Sequence, residues 1–193
     1  SNKPDVVMNA KRADSLKLRV MIDFHYSDFF ADPSRQNIPT NWAEYDFEQL
    51  KRAVADHTID VLSTLKAEGV TPEWIQVGNE TRSGMLWPVG RFQDEKGEIP
   101  GGWANYAQLT TAGYDACKAI FPDAMVIVHI DNAYMDNNWF YRTLLQNGGK
   151  FDMIGLSHYP MMKQWSGKDW LEMNQLAAQN IIQLHDEFQC PVM

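Results

Sequence analysis

The first candidate for chemistry is a carboxylic acid that directly follows a short apolar run, Glu80 in Trp74-Ile-Gln-Val-Gly-Asn-Glu80. Hydrolysis of a glycosidic bond needs one acid that protonates the leaving oxygen and a second carboxylate that attacks or activates water. A carboxyl group at the end of a buried strand suits the first role, and the amide of Asn79 could donate to a sugar 2-hydroxyl. The same pair could instead cap the next helix or turn, but its place after an apolar run favours catalysis. We therefore predict that Glu80 is a catalytic acid.

Other polar and aromatic residues follow the remaining apolar runs or lie in the long loop after Glu80. We predict that they position a sugar by hydrogen bonds and by stacking of its ring on aromatic faces. A lone histidine is more often part of the structure than a ligand, but here histidines share the same end of neighbouring runs. The predicted binding residues are Asn79, His25, Tyr26, Asp28, Trp87, His129, His158 and Tyr159.

The elements that must hold these residues alternate between helix and strand. Apolar residues at helical spacing predict the helices, and short β-branched runs predict buried strands. The predicted helices cover 4–17, the segment between Asp46 and Gly69, 103–120, 137–147 and 170–188; the predicted strands cover 18–24, 74–77, 125–130, 151–156 and the first residues of another at 191–193. We expect loops over 25–41 and 81–102.

This alternation predicts an α/β fold with a parallel sheet and right-handed crossovers, either a closed (β/α)₈ barrel or an open doubly wound sheet. No Gly-x-Gly-x-x-Gly follows a strand, which argues against a dinucleotide-binding sheet. The candidate residues gather at the carboxyl end of every strand, as the active-site residues of barrel enzymes do. The pattern therefore favours the barrel.

Composition excludes several classes of protein and partner. A chain of 193 residues suggests one domain, 1–193, and a net charge of −8 argues against a nucleic-acid partner. No apolar run approaches the roughly 18 residues of a membrane span. Cys117 and Cys190 are too few for a disulfide framework, and no spacing of His, Cys or acidic residues predicts a metal site. The seven Trp residues are equally compatible with two interpretations: they line a sugar-binding cleft, or they fill the core.

Separated motifs in order resemble one known family. They are Asp23-Phe-His-Tyr-Ser-Asp28, Ala31-Asp-Pro33, Gly78-Asn-Glu80, Gly84-Met-Leu-Trp-Pro88 and Ile154-Gly-Leu-Ser-His-Tyr-Pro160. Together they resemble the family 53 glycoside hydrolases, the arabinogalactan endo-β-1,4-galactanases. The resemblance implies a retaining enzyme on a (β/α)₈ barrel, in which Glu80 ends the fourth strand as the acid/base.

The same resemblance implies that the chain is truncated at both ends. It covers approximately strands 3 to 6 of the barrel with the start of strand 7, so 1–193 is expected to be a single incomplete catalytic domain. The nucleophilic Glu of the family ends strand 7, beyond Met193, and we expect the chain alone to be inactive. Some members carry a structural calcium in a late barrel loop outside this chain; no other cofactor is implied. Phe30 and His158 stand where the family usually has Trp and Tyr.

The implied substrate is the β-1,4-galactan of pectin side chains, which places the protein outside the cell or on its surface. Two alternatives stay open: another β-1,4-glycanase of the same clan, such as a mannanase or xylanase, or a non-catalytic glycan-binding module. A partial barrel also exposes unpaired strand edges, which favour self-association.

Overall fold

A computed structural model describes residues 2–161 and 166–193 of the chain. Four parallel strands form one sheet in the order β1-β2-β7-β8, and the first three are each followed by a helix that leads to the next. The elements are α1 (Lys3–Ser15), β1 (Met21–Phe24), α2 (Phe47–Ala67), β2 (Trp74–Val77), β3 (Gly84–Met85), β4 (Gly90–Arg91), β5 (Gln93–Asp94), β6 (Gly97–Glu98), α3 (Gly102–Ile120), β7 (Met125–Ile130), α4 (Asn138–Gln146), β8 (Met153–Leu156) and α5 (Trp170–Phe188). The predicted α/β alternation is confirmed.

The strand register places polar residues on one face of the sheet. Asp23 of β1 lies opposite Gln76 of β2, which lies opposite Ile127 of β7. Further along β7, His129 lies opposite Gly155 of β8. Because side chains alternate between the two faces of a strand, these positions share one face of the sheet.

The other face of the sheet packs against the helices and forms the core. Ile75 and Val77 of β2 are fully buried there, as are Leu62 of α2, Leu109 of α3 and Leu144 of α4. Burying one such side chain stabilises the fold by roughly 1.5–3 kcal/mol. This layer fixes the strand ends that carry the candidate residues.

The last residues of the chain extend the sheet beyond β8. The N–H of Ile154 donates to the carbonyl of Pro191 (3.0 Å), and the N–H of Leu156 donates to that of Met193 (2.9 Å). The predicted start of a strand at 191–193 is thereby confirmed. On the other side, no strand in the described part of the chain pairs with the outer edge of β1.

The predicted loops contain short elements. Segment 81–102 forms two antiparallel pairs, β3 with β4 and β5 with β6, and segment 25–41 runs into a 3₁₀ helix at Thr40–Trp42. The first strand is also shorter than predicted and begins at Met21. Elements of two or three residues carry too little periodicity to be recognised in a sequence. No helix among the described residues is long and apolar enough to cross a membrane.

Candidate active site

The candidate acid Glu80 lies just beyond the carboxyl end of β2 and is buried, with 6% of its surface exposed. Its backbone adopts a left-handed conformation, with φ of 48°. The phenol O–H of Tyr159, from the segment after β8, donates to Glu80 Oε1 at 2.6 Å. Desolvation and the bond to Glu80 raise the pKa of Tyr159, so the phenol stays protonated and remains a donor. The structure thus brings together two residues that the sequence singled out separately.

His129, near the end of β7, lies behind Glu80. Its Nδ1 accepts a hydrogen bond from the backbone N–H of Glu80 (3.1 Å), and its Nε2 lies 2.9 Å from Ser157 Oγ. A neutral imidazole that accepts at Nδ1 carries its hydrogen on Nε2, which therefore donates to Ser157. Burial lowers the pKa of His129 although the carboxylates of Asp23, Glu80 and Asp131 act in the opposite direction. The ring is therefore neutral at ordinary pH.

Asn79 is buried beside Glu80, and its side chain is already bonded to protein groups. Its Nδ2 donates to the carbonyl of Ala31 at 2.8 Å, and its Oδ1 accepts from Gln76 Nε2 at 3.3 Å. The Ala31 bond ties the loop after β1 to the segment that carries Glu80. One N–H of the amide remains for the predicted sugar contact, which stays a prediction.

His25 belongs to a second network at the ends of β1 and β2. Its Nε2 lies 3.1 Å from Asp23 Oδ2, and its Nδ1 accepts the N–H of Ala31 at 2.9 Å. Gln76 Nε2 donates to the other oxygen of Asp23 at 2.7 Å. The exposed ring of Phe30 packs edge-on against the imidazole, with 4.7 Å between centroids. His25 thus orders the loop that carries an exposed aromatic ring.

Two predicted binding residues make hydrogen bonds to other parts of the fold. Tyr26 is 5% exposed, stacks on Phe24 and bonds its hydroxyl to Thr58 Oγ1 of α2 at 2.7 Å, so it lies in the core and the prediction was wrong. Asp28 accepts from the backbone N–H and the hydroxyl of Thr40, which lowers the pKa of its carboxyl group. Asp28 therefore fixes the first residue of the 3₁₀ helix, and its sugar contact stays a prediction.

Contacts with other residues cover part of the Trp87 ring and part of the His158 ring, so only the remainder of each could contact a sugar. The guanidinium of Arg91 lies 4.1 Å from the centroid of the Trp87 ring, so one face of this half-buried indole is covered. His158 turns towards α5, where its Nε2 lies 2.7 Å from Asn174 Oδ1. The indole Nε1 of Trp87 and the Nδ1 of His158 are buried without hydrogen-bond partners among the described residues.

Sequence reasoning missed residues that hold the site together. Asp23 and Gln76 lie inside strands, and their shared face follows only from the register of β1 and β2. Arg82, two residues after Glu80, forms a buried ion pair with Asp131, which follows β7. In the sequence, Ser157 is one polar residue at the end of a strand, and nothing there indicates its contact with His129. Pairing across strands is the signal in each case, and a single sequence does not contain it.

The described residues contain no group of three or more His, Cys, Asp or Glu side chains that could hold a metal ion. Among them, the nearby carboxylates of Asp23 and Asp131 are also bonded to other partners, His25 and Arg82 respectively. The chemistry available at this site is therefore that of one buried carboxyl group, Glu80, with a phenol donor.

Comparison with known sequences gives relatives over most of the chain. An uncharacterised protein from the bgaB 5′ region of Niallia circulans is 39% identical over 168 residues, which are 86% of this chain and 45% of that protein. An arabinogalactan endo-β-1,4-galactanase of Thermothelomyces thermophilus is 36% identical over 159 residues, 78% of this chain and 45% of the relative. The chain thus spans less than half the length of these curated relatives.

Solved structures agree in fold. A fungal β-1,4-galactanase superposes with a TM-score of 0.84 at 30% identity, covering 99% of this chain and 55% of that one. The family 53 catalytic domain of Ignisphaera aggregans gives 0.74 at 32% identity, covering 82% of this chain and 42% of that domain. A family 10 xylanase of Thermobacillus composti, at 15% identity and a TM-score of 0.57, shares the barrel fold alone. The sheet is accordingly part of a (β/α)₈ barrel.

The family model described as glycosyl hydrolase family 53 matches residues 1–193. The match covers the segment with Glu80 and Tyr159 as well as the strands that position them. The chain belongs to glycosyl hydrolase family 53.

Proposed function

We propose that the complete protein containing residues 1–193 is a retaining endo-β-1,4-galactanase that hydrolyses the galactan side chains of pectin. The observation that carries the proposal is the buried carboxyl group of Glu80, which accepts from Tyr159 at the carboxyl end of a barrel strand. Relatives named arabinogalactan endo-β-1,4-galactanase support this substrate.

The bond from Tyr159 defines which oxygen of Glu80 does the chemistry. Because the phenol donates to Oε1, the acidic proton belongs on Oε2, and from there it reaches the oxygen of the leaving galactose. After departure the same oxygen removes a proton from water in the second step. Tyr159 can donate to Oε1 in both states of the carboxyl group, so the geometry serves both steps.

The reaction also needs a carboxylate about 5–5.5 Å from Glu80 to attack the sugar. Asp23 and Asp131 are engaged by His25 and Arg82, so neither suits this role. We propose that the nucleophile comes from a part of the barrel outside residues 1–193, and that these residues by themselves form a single incomplete catalytic domain without hydrolytic activity.

The test is hydrolysis of linear β-1,4-galactan by the complete protein and its Glu80→Ala variant. We expect the variant to lose activity on galactan by about 10²- to 10⁴-fold, the usual contribution of a general acid. It should keep its kcat/KM for a dinitrophenyl β-galactoside, whose leaving group needs no proton. Its turnover of that substrate should be slow, because the second step lacks its base, and added azide should speed it and yield a β-galactosyl azide with retained configuration. Glu98→Ala, an exposed glutamate of β6, is the matched control.

Other outcomes would point to the alternatives. Equal rates on galactan, mannan and xylan would contradict the galactanase specificity and favour another β-1,4-glycanase. Millimolar or tighter binding of galactotetraose by calorimetry, with no hydrolysis by the complete protein, would favour a glycan-binding module. Wild-type rates on galactan after Glu80→Ala would remove Glu80 from the mechanism.

The proposed substrate also suggests where the protein works. Galactan is a polymer of the plant cell wall and does not cross a membrane, so we propose a secreted or cell-surface enzyme. Its partner is then the polysaccharide itself, and the net charge of −8 suits a neutral sugar chain.

A further inference from the structure

The backbone of Glu80 needs support from its surroundings. Its φ of 48° lies in the left-handed region, which residues with a side chain seldom adopt unless neighbouring groups hold them there. The peptide groups on both sides of Glu80 contact one residue of β7. The N–H of Glu80 donates to the ring of His129, and the N–H of Thr81 donates to the His129 carbonyl at 2.9 Å.

The ring of His129 is itself fixed on its far side. Its Nε2 donates to Ser157 Oγ at 2.9 Å. Across the sheet on β8, a Cβ on Gly155 would lie 2.7 Å from Cγ2 of Ile127 and 3.2 Å from both Cβ and Cδ2 of His129, so the glycine leaves room for both side chains. Packing and hydrogen bonds therefore hold the ring in the orientation in which Nδ1 faces the Glu80 amide.

Only an unprotonated Nδ1 can accept this bond. The titratable groups around the ring are Asp23 and His25 of the β1 end, Glu80 itself, and Asp131 after β7. A proton on Nδ1 would place a donor against the donor N–H of Glu80. The contact would then be lost, and with it the constraint on the peptide that carries the acid.

We infer that His129 is a positioning residue for the proposed reaction: its neutral ring fixes the Glu80 peptide, so that the carboxyl group lies against Tyr159 and presents its other oxygen to the leaving group. The inference rests on the proposed function. It assigns His129 to the support of the acid and not to contact with the sugar, which was the role predicted from sequence.

The experiment compares His129→Leu with His129→Asn in the complete protein. Leucine has no acceptor, whereas the Oδ1 of asparagine can occupy the place of Nδ1 and accept from the Glu80 N–H. Each variant is assayed on galactotetraose, whose leaving group needs the acid, and on dinitrophenyl β-galactobioside, whose leaving group does not. Urea denaturation verifies that both variants are folded under assay conditions.

We expect His129→Leu to lower kcat/KM on galactotetraose by about 10- to 100-fold, as small displacements of a catalytic group do. It should change kcat/KM on the dinitrophenyl substrate, which reports the first step alone, by less than about 3-fold. His129→Asn should recover most of the loss. An equal loss of kcat/KM on both substrates, no loss at all, or no recovery with asparagine would overturn the inference. A wild-type protein inactive on both substrates would instead reject the proposed function.

Discussion

At the residue scale, the site depends on the state of buried polar side chains. Glu80 receives one bond from Tyr159 at its carboxyl group and gives one to His129 from its backbone. Both partners lie at the carboxyl ends of neighbouring strands, where the sequence predicted functional residues. The side chains of Tyr159 and His129 point towards Glu80 and not towards solvent, and this direction determines their roles in the site.

The buried imidazole of His129 predicts how stability depends on pH. Its folded pKa lies below the unfolded value of about 6.5. Below that pH the unfolded chain therefore binds a proton that the folded chain does not. The free energy of unfolding should be highest above about pH 6.5 and fall below it, with a slope of at most ~1.4 kcal/mol per pH unit from this residue.

The measurement is urea denaturation between about pH 5 and 8 for the wild type and for His129→Asn, which lacks the titrating group. Groups other than His129 titrate in both proteins and cancel in the difference. The stability gap should shrink as the pH falls. A gap that stays constant over this range would contradict a lowered pKa for His129.

At the scale of elements, an ion pair joins the segments that follow β2 and β7. Arg82 and Asp131 are 13% and 12% exposed at their side chains, and Arg82 also bonds Asn137 Oδ1 at 2.9 Å. These bonds hold the two chain segments that carry Glu80 and His129 side by side. The pair therefore belongs to the support of the site.

Removing one partner of this buried pair should be costly, because the other charge stays buried without compensation. We expect Arg82→Met to lower the free energy of unfolding by about 3–5 kcal/mol. The matched control is Arg142→Met, which breaks the pair with Glu187 on the surface, where the arginine side chain is 54% exposed. That change should cost about 0–1 kcal/mol. If urea denaturation gave the same loss of unfolding free energy for both variants, the expected effect of burial on the Arg82–Asp131 pair would be contradicted.

At the scale of the whole molecule, the sheet has an open edge. The carbonyls of Val20 and Phe24 accept hydrogen bonds from the β2 side, so by alternation the backbone groups of Met21 and Asp23 point outward. No strand in the described part of the chain covers them. Such an edge is a template for pairing with another chain.

We expect the 193-residue chain to self-associate through this edge. Met21→Pro removes one outward N–H without disturbing the bonds to β2, since proline is tolerated on an edge strand. Light scattering should give a mass above that of one 22.2 kDa chain for the wild type and a shift towards the monomer for the variant. A wild-type monomer at about 100 μM, or an unchanged mass for Met21→Pro, would contradict the prediction.

The sequence alone determined the order of helices and strands. It also showed that the candidate functional residues lie at the carboxyl ends of the strands. Periodicity and caps record which residues a helix or strand buries, and these patterns are local, so the helix that begins after Asp46 and the strand that precedes Glu80 were predictable. The separated motifs, Gly78-Asn-Glu80 among them, also indicated the family and predicted Glu80 as the acid, because each motif occupies contiguous positions.

Tertiary structure decided where each side chain at a strand end points. Tyr26 and His129 both follow or end apolar runs, yet Tyr26 enters the core to meet Thr58 and His129 turns to the Glu80 amide. Those directions depend on strand register, on left-handed backbone at Tyr26 and Glu80, and on the space that Gly155 leaves opposite the ring. Each of these is a relation between segments distant in the chain, so it arises only when the strands pair.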